Sequence, residues 1–164
     1  MSEKPILFSA PMVRAILEGR KTQTRRAAHV SVPVPLADAA RRCPYWADTL
    51  WVRETWFSPP KPHNDCLGYA ADNDFPHGVA YRMRPSIHMP RTASRITLRV
   101  TSVRFERLQD ISWNDALAEG VRANGVLPWS PVDAFRELWD SINFDRAPWR
   151  SNPWVWVIEF ERRP

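Results

Sequence analysis

The sequence predicts an α+β fold around a small curved or barrel-like sheet, and three observations lead there. Ile96, Leu98 and Val100 alternate with polar residues, and Trp154-Val155-Trp156-Val157-Ile158-Glu159-Phe160 is apolar enough for an interior strand. Ser112 and Ser130 each open a segment with a helix-start pattern. Strands and helices follow one another without regular βαβ alternation. At 164 residues the chain is expected to be one domain, 1–164, long enough for a substantial core.

Pro5 to Ser9 reads as a short buried strand. A helix follows, with Ser9 as N-cap, Pro11 in the first turn, and Val13, Ile16 and Leu17 on one face. Gly19 suits the left-handed residue that closes a helix. Residues 27–48 read as an irregular connection, since Val30, Val32 and Val34 are interrupted by Pro33 and Pro35. Thr49 to Trp56 is β-rich and predicts a strand. Residues 57–78 predict a proline-rich excursion, and Val79 to Arg82 a brief strand.

The strand from Ile96 changes apolar phase at Val103 and Phe105, which predicts a bulge near Ser102. Ser112 with Asp115 forms a capping-box pattern, and Gly120 ends that helix. Ser130-Pro131-Val132-Asp133 opens another helix, with Val132, Phe135, Leu138, Trp139 and Ile142 on its apolar face.

Net charge is +5, which favours a polyanionic partner, and nine tryptophans either fill the core or stack on bases. No apolar run approaches the ~18 residues of a membrane span, and the N-terminus lacks a signal-peptide pattern, so a cytoplasmic protein with no membrane association is expected. Two cysteines make no disulfide framework. Cys43, His63, Cys66 and His77 have zinc-ligand chemistry, but His63 and Cys66 are the only close pair and no CxxC anchors them; no metal and no cofactor is expected.

The densest chemistry lies in Arg20-Lys21-Thr22-Gln23-Thr24-Arg25-Arg26, four cations and three neutral hydrogen-bonding side chains in seven residues. A solvated basic turn is the plain reading of such a run. Gly19-Arg20-Lys21-Thr22 is not a nucleotide-binding P-loop, because the earlier glycine and the one directly before lysine are missing. Lys21 and Thr24 are three apart, so a regular strand would set them on opposite faces; chemistry needing both predicts a break there. A desolvated lysine with lowered pKa can deprotonate a threonine hydroxyl for acyl transfer from an amide, with a carboxylate orienting the pair. The chain offers 18 acidic residues for that role, and spacing chooses none. Arg84-Pro85-Ser86-Ile87-His88-Met89-Pro90-Arg91 is a proline-stiffened loop that either presents polar groups to a ligand or simply connects two elements.

Residues Ile6 to Arg26, with the Gly19–Arg26 core, resemble the ASCH domain family of the PUA-like fold. Leu50 to Trp56, Arg84 to Arg91 and Asn152 to Val157 look like a subgroup common in phages and prophages. The resemblance implies a small β-barrel with flanking helices. Two departures are visible: Ala47-Asp48 stands where the subgroup has Gly-Asp, and Thr92 where it often has tryptophan. Small bacterial members of the family are amidohydrolases acting on N4-acetylcytidine. By that resemblance Lys21 is the base, Thr24 the nucleophile and Glu119 the orienting or acid group. Arg26, Trp56, Ser86, His88 and Arg91 are the implied substrate contacts. The partner is then a modified cytosine nucleoside or RNA, and the alternative is an RNA-binding or RNA-cleaving module without amidohydrolase activity.

Overall fold

Alternating burial and the placement of a few buried charges explain most of the elements in the computed structural model, which describes residues 2–28, 36–60, 65–122 and 129–163. Val30, Val32, Val34, Pro33, Pro35 and His63 lie outside the described residues. The chain is α+β, with a mixed five-stranded sheet and a second sheet of three strands. It divides into two compact units, Met1–Gly19 with Ala47–Arg99 and Arg162–Pro164, and Arg20–Trp46 with Val100–Glu161.

In the first unit, strand β1 (Glu3–Leu7) runs parallel to β3 (Thr49–Arg53), which pairs antiparallel with the start of β7 (Thr97–Arg107). β1 starts earlier than expected and is half exposed, with only Ile6 fully buried, because it has a neighbour on one side alone. Helix α1 (Ala10–Leu17) buries Val13, Ala15 and Ile16. Ser9 holds the extended N-cap conformation without a side-chain cap bond, and Gly19 closes the helix at φ 73°.

The single strand expected over 49–56 is broken. Glu54 turns inward, 1% exposed, to meet Arg95 at 3.0 Å, and the chain restarts as β4 (Trp56–Ser58) in the three-stranded sheet. β4 lies between β5 (Gly68–Tyr69) and β6 (Arg82–Arg84), so the strand foreseen at 79–82 forms slightly later in the chain.

In the second unit the rest of β7 neighbours β8 (Trp154–Arg162), and β8 pairs antiparallel with β2 (Gln23–Ala27). β8 is thus an interior strand, as its apolar run predicts. β7 is continuous through Ser102, and the phase change coincides with two successive exposed residues, Thr101 and Ser102. The connection 27–48 contains a helix, α2 (Leu36–Arg41): alanine content, Asp38 in its first turn and Arg41 in its last all favour it. Helix α3 (Trp113–Ala118) has the full reciprocal capping box between Ser112 and Asp115. Helix α4 (Pro131–Asn143) is capped by Ser130 and buries Phe135 and Trp139. Ile142 is 66% exposed and leaves the expected apolar face, because the last turn of α4 runs past the core. That core joins Leu108, Ile111, Ala116, Phe135, Trp139, Val155 and Val157.

The sheet does not close into the expected barrel. β1 pairs only with β3 and β2 only with β8, so no hydrogen-bonded ring forms among the described residues. No described helix is long and apolar enough to cross a membrane.

Candidate functional site

Segment 20–23 is fixed by carbonyls in the last turn of α3 and just beyond it. The Thr22 amide donates to Ala118 O at 2.9 Å, and Gln23 Nε2 donates to Asp115 O at 2.8 Å. Arg20 Nη1 donates to Gly120 O at 2.7 Å, and Lys21 Nζ to Glu119 O at 2.9 Å. On the other side the Phe160 amide of β8 donates to Thr22 O at 2.8 Å. Lys21 and Thr22 therefore precede the regular strand, which begins at Gln23. Gly120, at φ 85°, ends α3 and lets its last carbonyls face this segment.

This docking brings Lys21 against Glu119. Lys21 Nζ donates to Glu119 Oε2 at 2.9 Å, and Arg25 Nη1 donates to Oε1 of the same carboxylate at 3.1 Å. Lys21, Arg25 and Glu119 are all buried, at 4%, 4% and 2% exposure. Desolvation holds the Lys21 ammonium below its ordinary pKa; Glu119 opposes that shift, while Arg26 and Arg25 add to it. Arg25 extends the network, with Nη2 at 2.6 Å from Glu106 and 3.4 Å from Asp115. Arg104 then bridges Glu106, Asp115 and Glu159. Burial works to raise the Asp115 pKa, but the Ser112 bonds and the two arginines prevail and lower it.

Thr24 is buried beside this cluster, at 5% exposure. In β2 it sits between Gln23 and Arg25 and is paired with Ile158, so strand alternation assigns it to the other face, with Arg26 and Trp156. That side is not electrically remote. Arg26, whose pKa is lowered by burial and partly restored by Tyr45 and Glu119, feels the Glu119 charge, and Lys21 feels Arg26. Arg26 also lines a cavity of about 400 Å³ with Tyr45, Asn143, Arg146 and Trp156.

Trp56, Ser86, His88 and Arg91 belong to the first unit. Trp56 is 1% exposed and packs on Met89 and Ala93, with the Arg84 guanidinium 6.0 Å from its ring centre, so it is a core side chain. Ser86 is half-buried and opens a short 3-10 turn through His88, which is exposed. Arg91 is exposed and forms a bidentate pair with Glu3, at 2.8 and 2.9 Å. Cys43 is a buried free thiol and Cys66 a half-buried one, and among the described residues no three His, Cys, Asp or Glu side chains gather as a metal site.

Sequence reasoning missed Arg25, which joins three carboxylates at the centre of the cluster. The signal was present: Lys21, Gln23 and Arg25 share odd numbering, and all three reach α3. Tyr45 and Arg146 gave no such signal, because only the tertiary fold brings them to Arg26.

No protein-family model matches the chain, and no curated protein matches it. Among solved structures it is similar to the crystal structure of an ASCH domain from Lactobacillus crispatus JV V101, at 12% identity and a TM-score of 0.49, over 98% of this chain and 79% of that one.

Proposed function

We propose that the chain is an amidohydrolase acting on N4-acylated cytosine nucleosides. The observation that carries this reading is the buried Lys21–Glu119 pair, in which an amine with depressed proton affinity lies sealed from water beside a carboxylate. Such a lysine releases its proton more readily than an exposed one, which is the direction a general base requires. The resemblance of Gly19–Arg26 to the catalytic segment of the ASCH amidohydrolases supplies the substrate class.

In the reaction the Thr24 oxygen adds to the acyl carbonyl carbon while neutral Lys21 takes the hydroxyl proton. Negative charge develops on the carbonyl oxygen, where an arginine or backbone donors stabilise it. Collapse breaks the C–N bond; the exocyclic amine of cytosine leaves with a proton returned by Lys21, and Glu119 holds the ammonium in between. Water then attacks the acyl-threonine ester, releasing the carboxylic acid and regenerating the hydroxyl. The Thr24 hydroxyl must reach Lys21 around the β2 edge for the first step, and β2 has a strand neighbour on one side only.

Loss of the acylamide absorbance of N4-acetylcytidine on mixing with the protein tests the reading. Thr24→Ala is expected to abolish the change and Thr24→Ser to keep a measurable part of it. No turnover by the unaltered chain, or full turnover by Thr24→Ala, overturns it.

A further inference from the structure

The cavity beside Arg26 has a composition that the amide chemistry does not use. Two of its walls carry guanidinium groups, Arg26 and Arg146, and no carboxylate is among its described lining residues. Two other walls are aromatic: Tyr45, whose ring centre is 5.8 Å from the Arg26 guanidinium, and Trp156, which β2–β8 register places directly across from Arg26. Asn143 adds an amide, whose Nδ2 already donates to Trp139 O at 3.2 Å, so its oxygen is the group left to accept from a ligand.

Size and charge together narrow the ligand. At about 400 Å³ the space is in the range of small-molecule sites and much larger than an inorganic anion. An anion between the two guanidinium groups gains charge-assisted hydrogen bonds that a neutral ligand does not. Arg146 is exposed and forms no ion pair among the described residues, so it can turn to an incoming anion without breaking a bridge. Aromatic walls beside arginines suit a planar base carrying a phosphate.

We propose that this cavity binds a nucleoside monophosphate, with its phosphate between Arg26 and Arg146 and its base against Trp156 or Tyr45. Choosing cytosine as the base rests on the amidohydrolase reading; the phosphate and stacking contacts do not. On that reading the preferred substrate is the acylated nucleotide, with Arg26 linking the phosphate end to the Lys21–Glu119 pair.

Calorimetric titration of the full chain with cytidine 5′-monophosphate, cytidine and inorganic phosphate tests this. The monophosphate is expected to bind at least about tenfold more tightly than cytidine, the scale of one charge-assisted hydrogen bond. Arg146→Ala should remove that advantage while leaving cytidine binding unchanged, and Tyr45→Ala should weaken both. Equal affinity for nucleoside and nucleotide, an unchanged nucleotide affinity in Arg146→Ala, or inorganic phosphate binding as tightly as the nucleotide each overturns the proposal. Nucleotide binding without turnover of N4-acetylcytidine would sink the hydrolase alone, and turnover with no preference for phosphate would sink the cavity assignment alone.

Discussion

Replacing Glu119 by glutamine removes a negative charge that answers both Lys21 and Arg25, and the cost follows from burial. At 2% exposure for Glu119 and 4% for Lys21, water cannot take over the lost carboxylate. Arg25 keeps Glu106 at 2.6 Å and Asp115 at 3.4 Å, so the penalty falls chiefly on Lys21, which retains the Glu119 carbonyl. Breaking a buried pair by removing one partner costs ~3–5 kcal/mol, a large part of the ~5–15 kcal/mol that holds a typical domain together. For a chain of this size each kcal/mol lowers the melting temperature by ~2–4 °C, so Glu119→Gln should melt about 10 °C lower. Urea unfolding followed by tryptophan fluorescence gives the same quantity at constant temperature. The control is Lys21→Met with Glu119→Leu, which removes both charges and should be destabilised less than Glu119→Gln alone. A Glu119→Gln chain that melts within about 2 °C of the unaltered one, or a double variant that loses the sum of its two single changes, refutes the reasoning.

Two other outcomes follow from the same region. Lys21 binds its proton less tightly folded than unfolded, so between its depressed folded value and the ordinary 10.5 the unfolded chain carries more protons, and stability should rise with pH through that window. The urea midpoint measured against pH should lose that rising component in Lys21→Met, and identical slopes in the two chains would count against it. Ser112→Ala removes the hydroxyl that accepts from the Asp115 amide at 3.1 Å and donates to the Asp115 carboxylate at 2.8 Å. The loss should be ~1 kcal/mol by denaturant titration, and an unchanged midpoint would show that the α3 cap contributes nothing.

What was legible in the sequence was local. Ser112, Asp115 and Gly120 announced both ends of α3, and the apolar run 154–160 announced an interior strand, because caps and periodicity act within a few residues. Tertiary demands hid the rest. Thr49 to Trp56 has uniform β propensity, yet the chain breaks at Glu54, whose carboxylate meets Arg95 some forty residues away in sequence. Residues 27–48 looked irregular because Pro33 and Pro35 break up the valine run, which masked the alanine-rich helix after it. Lys21 and Glu119, 98 residues apart, were associated only through a family resemblance, since no spacing rule reaches so far.

The charges around α3 divide into two kinds. Arg104, about one third exposed, meets Glu106, Asp115 and Glu159 where water screens each pair, so these contacts orient the strands and helix with little net stabilisation. Lys21 and Glu119 are different, because both are buried and, for Lys21, desolvation outweighs the Coulombic return from Glu119. A well-packed apolar pair would hold α3 to segment 20–23 at least as firmly, since the Thr22 amide, the Gln23 side chain and Arg20 already cap its last turn. Stability therefore does not account for an ammonium at this position. A group that exchanges its proton away from water, as the proposed hydrolysis asks of Lys21, would account for it.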